Sequence, residues 1–186
     1  MTITDDLDSR FREAALALDL VDLGFDVVDS PIGPLFIGAS KQGLASISFD
    51  SDPESHLERL AQVAGPRVLR SPKTVDPVRR ELDEYFERRR RAFDITLDLR
   101  GMPDFTLTVL RELAHVPYGE TTTYGALAAQ VGHPRAARAV GTVMNRNPIP
   151  IILPCHRVIG ASGNLTGYAG GLDLKERLLR LEGAML

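Results

Sequence analysis

Apolar residues recur along this chain with two different periods, and the change falls near residue 100. Before it, "FDVVDSPIGPLFIGASKQGLASISFD" (25–50) reads as strands broken by Pro/Gly and Gln-Gly turns. "DPESHLERLAQVA" (52–64) has the spacing of a short helix. In "DPVRRELDEYFERRRRAF" (76–93), Val78, Leu82, Tyr85, Phe86 and Phe93 share one helical stripe, and "FDITLDL" (93–99) alternates like a strand. The run Arg88 to Arg91 reads as the cationic end of that helix rather than a targeting or binding patch. Glu84–Arg88 and Glu87–Arg91 are its i,i+4 pairs.

Past residue 100 the helical period dominates. "FTLTVLRELAHVPYGE" (105–120) reads as a helix stopped by Pro117. "TTTYGALAAQVGHPRAARAVGTVMNRNP" (121–148) follows as helix, tight Gly-His-Pro turn and helix, the outline of a helix-turn-helix. Wheeling the second helix from Arg135 turns Ala136, Ala137, Val140, Val143 and Met144 inward, and Arg135, Arg138 and Thr142 outward. Two cations among alanines and a glycine let a backbone approach a groove closely, although helix pairs of this outline also occur without a ligand. "VIGASGNLTGYAGG" (158–171) reads as a hairpin. "DLKERLLRLEG" (173–183) reads as a helix opened by the capping pattern Asp173-x-x-Glu176. The expected fold class is α+β. A small mixed α/β N-terminal domain (residues 1–100) precedes a C-terminal helix-turn-helix, winged-helix-like domain (residues 101–186), with the division near "DLRGMPDF".

Composition narrows the class. An apolar fraction of 44% and a mean hydropathy of −0.06 over 186 residues fit a globular protein. One cysteine excludes an intramolecular disulfide, and the four histidines lie at no metal-ligand spacing with it. The opening "MTITDDLDSRFREAALALDL" has acids where a secretion signal needs bases, and no segment approaches the roughly 20 apolar residues of a membrane span. A cytoplasmic protein is expected. The formal charge is −3, but it is unevenly distributed: residues 1–100 hold 14 Lys/Arg against 19 Asp/Glu, and residues 101–186 hold 8 against 6. No acid occurs between Glu120 and Asp173, while Arg135, Arg138, Arg146 and Arg157 do, a charge footprint compatible with one face meeting a polyanion.

Residues 1–100 contain no catalytic constellation; the second half does. Cys155 ends the apolar run "IPIILP". A lone cysteine is more often buried and inert than reactive. Here His156 and Arg157 follow at once, a cation source that can lower a thiol pKa from about 8.5. Glu182 closes the last helix, where the helix dipole disfavours a carboxylate unless something else holds it. Cys, His and Glu are the parts of an activated-thiol relay.

"PCHRVIG", with "GYAGG" after it, "KERLLRLEG" closing the chain and "AARAVGTVMNRNPIP" before it, resembles the O6-alkylguanine-DNA alkyltransferase family. The likeness runs from about Phe105 to Gly183; earlier residues agree only in strand and helix order. The resemblance implies direct-reversal DNA repair. Cys155 would take the alkyl group from O6 of guanine, and less readily from O4 of thymine, in one irreversible event after the base is flipped. His156 would deprotonate the thiol through a water, with Glu182 orienting it. Consecutive residues of an extended chain point to opposite sides, which fits an indirect contact. Tyr124 would donate toward the leaving guanine, Asn147 would fix the segment leading to Cys155, and Val158, Tyr168 and Ala169 would line the pocket.

On the DNA side the resemblance implies a recognition helix in the minor groove of double-stranded DNA. Arg138 would fill the gap left by the base, Ala136 and Ala137 would permit close approach, and Thr106, His133, Arg135 and Ala161 would touch the backbone. It implies no cofactor and a monomer. The N-terminal zinc of some members would need cysteines this chain lacks, so no metal is expected. Ala169 stands where some relatives have serine. Two other classes remain: a lesion-binding protein that does not react, and a Cys-His hydrolase. The hydrolase would regenerate its thiol and would have no need of an outward Arg138.

Overall fold

The computed structural model of the protein describes residues 10–15, 17–50, 52 and 54–185; residues 1–9, part of the acidic opening compared above with a secretion signal, lie outside them. Two compact units form. One takes the chain up to Glu81 and again over Ile95–Arg100; the other takes Leu82–Asp94 and everything from Gly101. The apolar end of one helix and the loop after it, which precede residue 100 in the chain, belong with the second unit.

In the first unit, β1 (Leu23–Val28), β2 (Leu35–Ser40) and β3 (Gly43–Ser48) make an antiparallel meander. Helix α1 (Glu54–Ala64) carries the chain across to β4 (Val68–Arg70), which pairs parallel with β1, so the sheet order is β3-β2-β1-β4. A parallel neighbour requires such a crossover. Leu23, Phe36, Ala45 and Leu60 form the core between sheet and helix.

The strand expected over 93–99 is reduced to one bridge, Leu44 to Leu97. Leu44 N–H reaches the Thr96 carbonyl at 2.9 Å, and Asp98 N–H reaches the Leu44 carbonyl at 2.8 Å. Pairing stops there, where the Asp98 side chain turns to Ser40 and Arg100. Gly43 permits the contact: with φ +137°, a Cβ on it would lie 2.3 Å from the Thr96 oxygen.

Helix α2 (Pro72–Phe86) begins and ends earlier than the pattern suggests. Ser71 Oγ accepts from Thr74 N–H at its start. At its end Arg88 adopts a left-handed φ of 59°, which stops the helix, so the expected Glu84–Arg88 and Glu87–Arg91 pairs do not form. Arg90 instead reaches Glu84 at 2.7 Å and Arg89 reaches Glu87 at 2.6 Å. Val78, Leu82, Tyr85 and Phe86 are buried as the stripe predicts, and Phe93, beyond the helix, still meets the Tyr85 ring.

The second unit contains α3 (Asp104–Ala114), β5 (Thr122–Thr123), α4 (Tyr124–Gln130), α5 (Ala137–Asn145), a 3-10 turn (Cys155–Arg157), β6 (Val158–Ile159) and α6 (Leu172–Glu182). Thr123 caps α4 by accepting from Ala126 N–H at 3.1 Å. Helices α4 and α5 form the helix-turn-helix, closed by His133 N–H to the Ala128 carbonyl and Ala136 N–H to the His133 carbonyl. The second helix starts at Ala137, so Arg135 sits in the turn rather than on the helix. Val140, Val143 and Met144 are buried and Arg138 and Thr142 exposed, as the wheel predicts.

Two local expectations fail. Residues 158–171 form no hairpin: β6 pairs parallel with β5, and a turn from Gly160 to Asn164 replaces the second strand. The capping box of α6 is also absent. Gly171, at φ +85°, is the N-cap with no side-chain hydrogen bond, and Glu176 accepts from Arg180 instead. No described helix is long and apolar enough to cross a membrane.

Candidate active site

The segment that delivers the thiol is held from one side chain. Asn147 Oδ1 accepts from Ile149 N–H at 3.1 Å, and its Nδ2 donates to the Leu153 carbonyl at 2.7 Å, bracing both ends of the loop. The same Leu153 carbonyl accepts Cys155 N–H at 2.8 Å. Between them, Ile151 has φ +76°, a conformation that costs a β-branched residue about 1–3 kcal/mol and persists only when its surroundings impose it. Ile149, Ile151 and Leu153 are all buried, so their packing and the Asn147 brace together impose it.

Cys155 is buried at the head of the 3-10 turn. Burial pushes its thiol up to about 11, opposed by the Asn147 side chain, the charge of Lys175 and the N–H groups of Cys155 and His156. Arg157, expected to be the thiol's cation, points elsewhere. The turn also replaces the extended chain assumed for this stretch, and it sends both His156 and Arg157 toward Glu182.

Glu182 accepts five hydrogen bonds. Oε1 receives Tyr85 Oη–H at 2.7 Å, His156 Nε2–H at 2.8 Å and Arg157 Nη2–H at 2.9 Å; Oε2 receives Arg157 Nε–H at 2.8 Å and Gly119 N–H at 3.3 Å. Burial raises the carboxyl's pKa, but the His156 and Arg157 hydrogen bonds outweigh it and hold the group at about 2. Glu182 is thus ionised and can only accept. Burial also pulls the His156 imidazole below its usual 6.5, against the pull of Glu182. These two facts fix the tautomer. A neutral imidazole facing a carboxylate through Nε2 carries its proton there, which leaves the lone pair on Nδ1. That Nδ1 is buried and has no hydrogen-bond partner among the described residues. It is a base waiting for a proton.

A second buried charge acts on the thiol. Lys175 Nζ donates to the carbonyls of Val158 (2.6 Å) and Thr166 (2.7 Å), and burial lowers its pKa to about 8. The Thr166 carbonyl also accepts from Tyr124 Oη at 3.2 Å, and the ammonium lies 6.0 Å from the Tyr124 ring centre. Burial raises the Tyr168 phenol well above 10, with the charges of Cys155 and Glu182 adding to it, so this ring shares the site's electrostatics. Val158 is fully buried, and Ala169 is exposed.

The residues expected to face DNA form a different set. Arg135 and Arg138 are exposed, and neither they nor Arg146 makes an ion pair with any described residue. Ala136, Ala137 and Thr106 are half-buried, while His133 and Ala161 are exposed; the His133 ring meets Phe105 edge-on at 5.5 Å.

Sequence reasoning misses three residues around Glu182 and Cys155, namely Tyr85, Gly119 and Lys175, and it misjudges the direction of Arg157. One signal was present. Leu174, Lys175, Leu178, Leu179 and Glu182 share the buried stripe of α6, and two charged residues on such a stripe call for partners.

A buried thiol followed in the chain by a carboxylate-oriented imidazole, on the unit that carries a helix-turn-helix, fits a thiol protein directed at nucleic acid. The family model described as "6-O-methylguanine DNA methyltransferase, DNA binding domain" matches residues 104–184, and that for its "ribonuclease-like domain" matches 25–99. A methylated-DNA–protein-cysteine methyltransferase of Methanosarcina barkeri is 43% identical over 159 residues, covering 85% of this chain and 96% of the relative. The Mycobacterium tuberculosis protein of that name is 43% identical over 158 residues, covering 85% and 91%. A crystal structure of Mycobacterium tuberculosis OGT in complex with DNA superposes with a TM-score of 0.75 at 41% identity, covering 87% of this chain and 93% of that one. The O6-methylguanine-DNA methyltransferase of Pyrococcus kodakaraensis superposes with a TM-score of 0.60 at 28% identity, covering 87% and 99%. The chain belongs to the methylated-DNA–protein-cysteine methyltransferase family.

Proposed function

We propose that the protein repairs O6-alkylguanine in double-stranded DNA by moving the alkyl group to Cys155, once per molecule. The observation that carries this reading is the Glu182–His156 hydrogen bond, which leaves Nδ1 as a free base on the residue next to the thiol. At neutral pH a thiol with a pKa of about 11 needs about 5 kcal/mol to ionise, so a base is required. His156 takes that proton, through a bridging water. Sγ attacks the alkyl carbon, the carbon–O6 bond breaks, and its electron pair leaves with the guanine. Tyr124 supplies the proton that lets guanine depart neutral and regains one from the relay. Atoms and charge balance without cofactor or metal. The resulting thioether offers water no polarised bond, and the chain has no second cysteine to displace it.

Lys175 lowers the cost of negative charge on the sulfur, and Asn147 holds the loop in place. Tyr168, Val158 and Ala169 are the proposed pocket wall. A buried sulfur cannot reach a stacked base, so the nucleotide is flipped at a cost of a few kcal/mol. Helix α5 is proposed to enter the minor groove, with Arg138 occupying the vacated stack. The small Ala136 and Ala137 and the unpaired guanidinium of Arg138 support this, as does the lack of acids from 121 to 172. Arg135, His133, Thr106 and Ala161 are proposed backbone contacts. The protein is proposed to act as a monomer in the cytoplasm, with salt-sensitive, largely sequence-independent binding.

The test is intact mass, before and after mixing with duplex DNA holding one O6-methylguanine. One methyl group, mapped to Cys155 and never exceeding one per molecule, is expected. Tight binding with no added mass would make the protein a lesion sensor, and repeated turnover with a regenerated thiol would make it a hydrolase.

A further inference from the structure

One of the five donors to Glu182 comes from outside the cysteine motif altogether. Tyr85 lies near the end of α2, 97 residues before Glu182, within the Leu82–Asp94 segment that packs in the second unit. Its ring is fully buried against Phe86 (5.3 Å), Phe93 (5.5 Å) and Tyr118 (6.0 Å). Ring packing alone would be served by phenylalanine, which already occupies two places in this cluster. A buried hydroxyl is costly unless it is paired, so tyrosine here is accounted for by its partner. That partner is Oε1, the oxygen that also receives His156 Nε2–H. Burial and the Glu182 charge keep the phenol protonated far above pH 10, so it is a permanent donor.

We infer that Tyr85 is a positioning residue of the relay, whose hydroxyl fixes Glu182 Oε1 and limits how strongly that oxygen attracts the His156 proton. This rests on the transfer reading given above. The groups facing this carboxylate and imidazole are Tyr85 from α2, Tyr118 and the Gly119 N–H from the loop before β5, Cys155 and Arg157 from the 3-10 turn, Tyr168 from the loop before α6 and Lys175 from α6. Arg157 supplies two hydrogen bonds that do not depend on Tyr85. Removing the phenol's hydrogen bond concentrates negative charge on Oε1, which favours imidazolium and moves the appearance of free base to higher pH.

The experiment compares Tyr85→Phe with the wild type. It reads the rate of methyl transfer from an O6-methylguanine duplex between pH 5 and 9, DNA affinity, melting temperature and the 15N signals of the His156 ring. The expected result is a roughly tenfold slower transfer at pH 7. The rising limb of the rate profile and the His156 15N titration should both move up by about half a unit, with DNA affinity unchanged. Wild-type rate and limb in the variant would overturn the inference, as would a rate loss matched by lost folded protein with the limb in place. Should the variant fail to fold, the 13Cζ signal of Tyr85 in wild-type protein must shift over the same pH range as the His156 ring; an independent or flat signal would equally overturn it. A wild type that transfers nothing to Cys155 would sink the underlying relay instead.

Discussion

Both units bury charged residues, but they use them in opposite ways. In the sheet unit, buried Asp26 pairs with Arg70, whose side chain is 58% exposed, and buried Asp98 pairs with Arg100, 46% exposed. Each anion there has its own partner reaching out into water. In the second unit, Glu182 and His156 are fully enclosed and Arg157 nearly so, and the last two share the Glu182 carboxylate. Ion pairs that keep one end in water contribute about 0–1 kcal/mol, whereas removing one member of an enclosed set strands its partners at about 3–5 kcal/mol. Ion pairs therefore fasten one unit at its rim and form an enclosed set, the proposed proton relay, inside the other.

That contrast can be broken in four places. The largest effect is expected from Glu182→Gln. It leaves the Arg157 charge enclosed without its counterion, lowering stability by about 3 kcal/mol, and it slows transfer about a hundredfold or more. Thermal melting and single-turnover rates read the two losses; a variant near wild type in both would remove the relay from the mechanism.

The next effect is in pH. His156 is depressed, so its free base is present at pH 6.5 and above, and transfer should be flat there and fall in more acidic buffer. Glu182 is likewise depressed, from 4.5 to about 2, so its contribution to stability is present above 4.5 and lost as pH falls toward 2. A rate that climbs steadily toward pH 11 would instead mean an unassisted thiol.

Arg138→Ala should cost about tenfold on duplex substrate and little on free O6-benzylguanine, because only the duplex needs a base displaced. Equal losses on both would leave Arg138 without a part in flipping. Smallest of all, Asp26→Asn should cost at most about 1 kcal/mol in the sheet unit and leave the transfer rate unchanged. A matching loss of transfer would erase the difference between the units.

The proposed catalytic trio, the helix-turn-helix and the inward stripe of Val140, Val143 and Met144 are legible in sequence, because a local motif or a helical period carries each. What escapes is direction. Arg157 is one residue from His156 and two from Cys155, yet a 3-10 turn aims it at Glu182. Tyr85 sits on an apolar stripe and reads as core; its hydroxyl is meaningful only once Glu182 is seen beside it. The i,i+4 pairing of Arg88 and Arg91 presumes a helix that a left-handed Arg88 has already ended. Alternation in "FDITLDL" implies a strand, but only Leu97 finds a partner. Two sets of basic residues differ in a way the net charge hides but the order of residues shows. Arg89 and Arg90 have acids within reach, whereas Arg135 and Arg138 have none for many residues on either side.

The five hydrogen bonds on Glu182 also have a kinetic meaning. Their donors lie 25, 26, 63 and 97 residues away along the chain, so every one closes a long loop. No short-range fragment contains the proposed relay, and loop-closure entropy must be met before contacts of such high sequence separation form. On the transfer reading proposed above, Cys155 has no oriented base until they do. For a protein with a single nucleophile to use, conformational maturation then acts as a safety catch: reactivity arrives together with the finished fold that can aim it.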